Sequence, residues 1–439
     1  MSNNRKIENN LAPGPGNVLD INTTEETFKA IPQLLAEFGD LVRVPSSNEE
    51  VDSYLVNHPD MIRHILIKNN ANYLKGPGFN RVKMLLGNGI IVSDGAFWRR
   101  QRRMIQPAFN KKIIARLVDE IKKCNLELFQ SWQHIAEKGE LIDITQTAGE
   151  LSLMVILRVI FSKDLDSIFE QQGGNPFAFL TEDLTRDMKV VLKFRSLMKL
   201  FQSIIDQRRA SEEERFDFLA MFIDARDKET GEAMTDKEII DELMTLIIAG
   251  HETSAITLQW SWYFLANNPQ VEQSALAAIS DAHLKEKIPA FDELEKLGYI
   301  QQLVYEALRL YPPVWIFSRK AIDEDVLGGY SIPAGSNIFI SPYYMHRHPD
   351  YWPDAENYDP ERFTAESERE RHKTAFIPFS AGPRRCIGDF FAVVEMQIHF
   401  ALMLPEFKME YQPDGPIELE PYINLRTRNG LKMKLTKRK

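Results

Sequence analysis

Apolar positions recur with helical spacing from about residue 96 to residue 309, a run interrupted by Gly173-Gly174-Asn175-Pro176 and by the charged stretch Glu212-Glu213-Glu214-Arg215. Upstream, residues 23–92 read as helices and short strands, with Leu41–Val44 the first strand and Pro45 its stop. Beyond Pro312-Pro313 the spacing changes to short alternating runs separated by turn residues. Residues 325–335, with Gly328-Gly329 at their centre, read as a hairpin, and residues 422–435 read as a second one around Asn429-Gly430. The pattern predicts a mainly α chain with a smaller β region drawn from both ends. The β-rich parts fall near 23–75, 314–345 and 415–437, and the helical parts near 76–313 and 386–405. No Gly/Ser-rich or Pro-rich linker divides the chain, so one domain over residues 1–439 is expected.

One helix is unusually long. Thr235 with Glu238 three residues later forms a capping box, and Asn267-Asn268-Pro269 ends the pattern. About thirty residues at 1.5 Å each give roughly 45 Å, enough to cross the interior. Leu243, Leu246, Ile247 and Ile248, then Trp260, Trp262 and Phe264, supply an apolar surface. The middle is polar: Ala249-Gly250-His251-Glu252-Thr253-Ser254. A glycine in a helix interior costs up to about 1 kcal/mol, and a buried Glu or Thr needs a partner or water. A packing glycine, a solvated Glu and a Thr bonding back to its own helix would account for the segment blandly. A carboxylic acid beside a hydroxyl also suits general acid chemistry, the alcohol holding water while the acid reloads it.

Composition narrows the class. Apolar residues make up 44% and aromatics 10%, which excludes disorder and fibrous architectures. The net charge of −10 argues against nucleic acid as the main partner. The first twenty residues are polar and hold neither an apolar signal region nor a membrane span, so cytoplasmic residence is expected. Only Cys124 and Cys386 are present, which supports neither a disulfide framework nor a four-ligand zinc site. Cys124, beside Leu126 and Leu128 in a helical pattern, reads as a buried structural thiol.

Cys386 differs. It lies in Phe379-Ser380-Ala381-Gly382-Pro383-Arg384-Arg385-Cys386-Ile387-Gly388, where arginines favour an ionised sulfur and glycines let backbone N–H groups approach a ligand. The pattern Phe-x-x-Gly-x-Arg-x-Cys-x-Gly resembles the haem-binding loop of the cytochrome P-450 (haem-thiolate) monooxygenases. The resemblance covers nearly the whole chain, with its motifs in family order. It implies the cytochrome P-450 fold, a triangular helical domain with a long helix over the haem plus β hairpins. It also implies haem b with Cys386 as the axial metal ligand, dioxygen as co-substrate, and Phe379 and Gly388 against the cofactor.

The remaining motifs take their roles from the same resemblance. Residues 249–254 are similar to the family's oxygen-binding groove, where the helix opens, which makes Gly250 a cofactor contact and Glu252 and Thr253 the proton-relaying pair. Glu306 and Arg309, i and i+3 on a helix ended by Pro312-Pro313, resemble the Glu-x-x-Arg pair, with Arg362 of Pro360-Glu361-Arg362-Phe363 completing a structural triad. Trp98 and Arg102, one helical turn apart, resemble the pair that bonds a haem propionate; Arg384 and His346 are further propionate candidates. Arg99, Arg100 and Arg103, with Lys111 and Lys112, form a basic stretch for an acidic electron donor, against the plainer reading of a solvated helix face.

No dinucleotide fingerprint, phosphate loop or Cys-x-x-Cys pair is present, so electrons are expected from NAD(P)H through a separate ferredoxin or flavodoxin with its reductase. The expected activity is hydroxylation or epoxidation of a hydrophobic terpenoid, steroid, fatty acid or polyketide by a monomeric enzyme. The substrate would be lined by Phe79, Met84, Leu85, Leu246, Ala249, Val314, Trp315, Ile316, Phe317, Ile423 and Asn424, with ordinary core packing as the alternative for each. A peroxygenase and a haem-thiolate ligand sensor are the rival readings. One departure from the family is the region between Phe161 and Phe216, which normally forms the substrate lid and looks short here.

Overall fold

The structure is a computed structural model that describes residues 10–47, 51–181 and 190–438. The chain forms two compact units and passes back and forth between them, so each is assembled from separate stretches of sequence.

The first unit comprises residues 1–79, 306–386 and 418–428. Its centre is a five-stranded sheet in the order β1 (Leu41–Val44), β2 (Ser53–Val56), β8 (Asn337–Ile340), β5 (Phe317–Ala321) and β3 (Tyr73–Lys75). β2 and β8 are parallel, with Tyr54 opposite Ile338, and the other pairs are antiparallel. β2 and β8 are buried at every position, as expected for interior strands covered on both faces. Helix α1 (Glu25–Phe38) packs Ile31 and Leu34 against one side, while α2 (Pro59–Arg63) and the π-helical turn His64–Lys68 put Ile62, Ile65 and Leu66 into the other core. The expected hairpin forms as β6 (Asp325–Leu327) and β7 (Tyr330–Ile332), with Gly328 and Gly329 both at positive φ. Short helices α13 (Pro342–Met345) and α14 (Ala365–Glu370) and the pair β10 (Leu419–Pro421) and β11 (Leu425–Thr427) complete the unit.

The second unit comprises residues 80–305, 387–417 and 429–439. In chain order its helices are α3 (Phe79–Leu86), α4 (Gly95–Ile105), α5 (Lys111–Lys138), α6 (Ile144–Phe161), α7 (Asp164–Gln172), α8 (Val190–Ala210), α9 (Phe218–Asp224), α10 (Asp236–Asn267), α11 (Pro269–Asp281), α12 (Gly298–Leu310, which runs on into the first unit) and α15 (Asp389–Met403). The long helix is α10. Thr235 Oγ1 accepts the Glu238 amide and Glu238 Oε2 accepts the Thr235 amide, the reciprocal cap read from sequence. α10 packs against α6, α8 and α15. Trp260 and Trp262 are fully buried on it, and such side chains stabilise a fold by roughly 1.5–3 kcal/mol each. Trp262 Nε1 donates to His399 Nε2 at 2.8 Å, and His399 Nδ1 meets Asn125 Oδ1 at 2.9 Å, which ties α10, α15 and α5 together through a neutral imidazole. α6 is long and apolar enough to cross a membrane by length and composition, but 67% of that window is buried inside the protein, as a core helix requires.

One expectation changes. The hairpin around Asn429-Gly430 does not form: β11 pairs with β10, whereas β12 (Lys432–Lys437) pairs with β4 (Leu141–Asp143) and β9 (Phe407–Tyr411). Gly430, at φ +68°, makes the turn, but its two flanks enter different sheets. In the lid region α7, a 3-10 turn at Ala178–Thr181 and α8 are seen, and residues 182–189 lie outside the described residues.

Candidate active site

In the first unit, the geometry around Cys386 is that of a closed loop. The Cys386 amide donates to Phe379 O at 2.9 Å and the Arg385 amide to Gly382 O at 3.0 Å, across a 3-10 turn at Gly382–Arg384. Ser380 and Gly382 both take positive φ, +57° and +70°. Gly382 is required for a second reason: a Cβ there would lie 2.0 Å from Leu66 O in the π-helical turn. The result leaves Cys386 exposed, with Phe379 and Arg384 half-buried beside it in sequence.

The same unit holds a buried charge cluster. Glu306 and Arg309 are both inaccessible to solvent and bond through two parallel contacts, Nε to Oε2 at 2.6 Å and Nη2 to Oε1 at 2.7 Å. The remaining Arg309 protons go to the carbonyls of His346, Ala355 and Asn357, so every guanidinium donor is used. Burial pushes the Glu306 carboxyl up, opposed by Arg309 and by the Asp359 amide that donates to Oε1 at 2.9 Å. Arg362 makes a looser ion pair with Glu306 at 3.4 Å and donates Nη2 to Asp354 O. Arg371, not singled out from sequence, lies over the rings of Trp352 and Phe363 at 4.7 and 4.4 Å and donates to Arg362 O.

His346 takes a different role from the one expected. It is fully buried; Nδ1 meets Arg309 O at 3.2 Å and Nε2 accepts the Ile377 amide at 2.9 Å. Both nitrogens are therefore committed to backbone, and burial, then the Arg309 charge, lowers its pKa well below the ordinary range. It is no propionate donor. It links the Glu306–Arg309 pair to the irregular segment entering the cysteine loop.

Trp315 and Ile316 are likewise core residues: Trp315 is fully buried, donates Nε1 to Tyr422 O at 2.8 Å, and stacks edge-on with Phe28. Val314 and Phe317 are half-buried, Asn424 is buried, and Ile423 is 62% exposed.

In the second unit, the middle of α10 is distinctive. From Ile239 to Trp262 the only partly exposed residues are Ile248, Ala249, Gly250, Glu252 and Thr253. An otherwise buried helix thus faces open space where the carboxyl and hydroxyl sit side by side. Leu246, one turn earlier, is buried. The helix stays continuous: Thr253 Oγ1 donates to Ala249 O at 2.8 Å, the back-bond that the plain reading anticipated, and its oxygen retains acceptor capacity. Gly250 serves packing, since a Cβ there would come within 3.2 Å of Ile156 on α6. Ser254, the next residue, bonds Glu395 of α15, which also accepts Ser152 Oγ at 3.1 Å. Burial pushes Glu395 up to about 7.

On α4, Trp98 and Arg102 are half-buried and one turn apart, with Arg102 Nε on Gln106 Oε1 at 3.1 Å. Arg100 and Arg103 do not face outward as expected. Arg100 pairs with Glu238 at 2.8 Å, and Arg103 grips the buried Asp227 at 2.7 and 3.0 Å, holding that carboxyl down to about 2. Arg99, Lys111 and Lys112 are exposed. Met84 is 79% exposed, Phe79 and Leu85 are half-buried, and Gly388 precedes α15 with an ordinary φ of −97°. Cys124 is buried, its thiol pushed up to about 12 by desolvation, as a structural thiol should be.

The donor set fits an iron that brings most of its own ligands. Cys386 is a single exposed thiol, and among the described residues no three His, Cys, Asp or Glu side chains cluster to hold a metal ion. A porphyrin iron needs one axial protein ligand and a cation for its carboxylates, which within the first unit the lone Cys386 and the half-buried Arg384 can supply.

Comparison with known proteins agrees. The family model described as Cytochrome P450 matches residues 9–173 and 167–434. Cyclooctatin synthase of Streptomyces melanosporofaciens is 34% identical over 89% of this chain and 87% of its own length. Cyclooctat-9-en-7-ol 5-monooxygenase of the same organism is 31% identical over 91% and 89%. A solved structure of the cytochrome P450DA haem domain aligns with a TM-score of 0.85 over 98% of both chains, at 23% identity.

Proposed function

The chain belongs to the cytochrome P450 family and is a monooxygenase of that family, and we propose that it inserts one oxygen atom into a terpenoid, using electrons from separate redox proteins. When bound, the haem supplies oxygen activation, with thiolate ligation favouring O–O cleavage. Cys386 is the axial ligand in this reading, on a loop whose shape is held by Gly382, Ser380 and the His346–Ile377 bond. Trp98, Arg102 and Arg384 hold the propionates, with Phe379 and Gly388 near the ring. Thr253 Oγ1, whose own hydrogen rests on Ala249 O, holds a water by accepting its hydrogen bond, and Glu252 replaces the protons that water gives up with protons from solvent.

The observation that carries the reading is the half-open stretch of α10, where Ala249 lies beside Glu252 and Thr253 in a helix that is otherwise buried. The apolar Ala249 and Leu246 favour a hydrocarbon-rich substrate over a charged one, and cyclooctat-9-en-7-ol, named for one relative, is a compound of that kind. Phe79, Met84, Leu85, Val314, Phe317, Ile423 and Asn424 line the substrate in this reading. Arg99, Lys111 and Lys112 are the cations left to meet an acidic ferredoxin or flavodoxin in a cytoplasmic setting.

The test is turnover of cyclooctat-9-en-7-ol and related cyclic terpenoids under isotopically labelled dioxygen, with NADPH and a surrogate ferredoxin pair. One labelled oxygen per product is expected. Product formed with peroxide alone would instead make the protein a peroxygenase, and no product from any terpenoid would overturn the substrate class.

A further inference from the structure

Two adjacent acids on α10, Asp241 and Glu242, are buried, and among the described residues no buried cation pairs with them. Both reach the same short segment, residues 87–90, between α3 and α4. Asp241 Oδ2 accepts the Asn88 amide at 2.9 Å and Glu242 Oε2 accepts the Ile90 amide at 3.0 Å. The segment lies directly on the helix. A Cβ on Gly87, at φ +81°, would fall 1.9 Å from Asp241 Oδ1, and one on Gly89 would fall 2.1 Å from Thr245 Oγ1. Gly89 O in turn accepts the Val92 and Ser93 amides, which carries the fixed backbone toward α4.

Successive side chains on a helix point about 100° apart, so two carboxyl groups at i and i+1 cannot meet one partner atom, but they can hold two points of a chain that crosses the helix. That is the arrangement seen. A single buried acid would pin this segment at one amide and leave it able to swing; two pins fix both its position and its direction.

We propose that Asp241 and Glu242 are positioning residues that clamp residues 87–90 and thereby set the placement of α3, including Met84 and Leu85, against the substrate. The proposal rests on reading α3 as part of the substrate wall. Neither acid touches substrate or cofactor in it; both act through the backbone they hold. Asp241 is additionally held by Lys237 Nζ at 2.7 Å, whereas Glu242 Oε1 has no hydrogen-bond partner among the described residues, so the clamp needs only one acceptor oxygen from Glu242. A glutamine supplies that oxygen and an alanine does not.

The test uses the haem-loaded full chain with the variants E242A, E242Q, D241A and D241N. Hydrogen exchange by mass spectrometry reads peptides covering residues 86–93, and a spectral titration with 4-phenylimidazole, whose nitrogen binds iron and whose ring must fit the substrate space, reads affinity. E242A and D241A are expected to exchange about tenfold faster in that segment and to bind the azole about tenfold more weakly, the effect of one lost hydrogen bond to a buried polar group. E242Q and D241N should restore both readouts to near the parent values. Unchanged exchange in the alanine variants, or amide variants as impaired as alanine ones, would overturn the clamp. Faster exchange with unchanged azole affinity would overturn the placement of α3 against substrate while leaving the family reading intact.

Discussion

His346 Nε2 receives the Ile377 amide at 2.9 Å, nine residues before Cys386, while His346 Nδ1 faces Arg309 O at 3.2 Å. One neutral imidazole therefore couples the buried Glu306–Arg309 pair to the segment that leads into the Cys386 loop. His346→Ala orphans the Ile377 N–H and opens a cavity, which together should cost about 2–4 kcal/mol. Denaturant unfolding checks the cost, and haem retention on gel filtration should fall with it. An unchanged midpoint would mean that the loop holds its shape without this ring.

The Glu306–Arg309 pair makes a stronger prediction. Removing either partner leaves an unpaired charge in a place without solvent, and Arg309→Ala should destabilise the fold by about 3–5 kcal/mol. Arg309→Lys should not rescue it, because an ammonium cannot reproduce five planar donors reaching a carboxylate and three carbonyls. Recovery of folded, haem-loaded protein from the lysine variant would contradict the geometry.

Stability should fall on both sides of a narrow pH range. Burial holds His346 well below the usual histidine range and His399 down to about 3, so both stay neutral in the folded chain while the unfolded chain takes up protons below about 6.5. Stability is then lost as pH drops under that value. Burial pushes Glu242 up to about 8 and Glu395 up to about 7, so these acids keep protons in the fold that the unfolded chain releases above about 4.5. Between about 4.5 and 6.5 the two effects oppose each other; above that the acids alone act, and stability falls toward pH 7 for Glu395 and pH 8 for Glu242 by at most about 1.4 kcal/mol per pH unit for each group. Thermal melts of Glu242→Gln should show a flatter decline between pH 6 and 8 than the parent; an identical slope would place the proton elsewhere.

Thr253→Ala removes the hydroxyl that bonds Ala249 O but not the helix, so haem and substrate binding should persist. The expected loss is in coupling: reducing equivalents should appear as peroxide, with product per NADPH reduced about a hundredfold, the low end of what a positioned proton donor contributes. Product and peroxide measured in the same reaction decide it, and unchanged coupling would remove Thr253 from the relay.

Much of the fold follows from local chemistry and was readable as such. Thr235 and Glu238, three residues apart, start α10, and Asn267, Asn268 and Pro269 stop it, because caps and helix breakers act over a few residues. Glu306 and Arg309 were legible for the same reason, being one helical turn apart. What escaped depends on distant partners. Asn429-Gly430 carries every local mark of a hairpin, yet β12 pairs with β4, nearly 300 residues earlier. His346 beside Arg347 looks like a cation pair for an anionic ligand until burial commits both ring nitrogens to backbone. Glu242 and Glu395 sit where a one-dimensional pattern reads only a polar position; that they are buried, with their carboxyls pushed up by desolvation, depends on which helices cover them. Arg100 and Arg103 showed as a basic stretch, and Glu238 and Asp227, more than 120 residues away, claim them.

The central claim is that Cys386 is the thiolate that binds iron, and the carbon monoxide difference spectrum of the reduced protein tests it most directly. The parent chain should give the red-shifted band of a thiolate-ligated haem. Cys386→Ala should lose that band, and any haem it retains should show the spectrum of a haem without a sulfur ligand. A Cys386→Ala protein that kept the thiolate band at parent intensity would contradict the account, because Cys124, the one other cysteine, is buried within the helical unit.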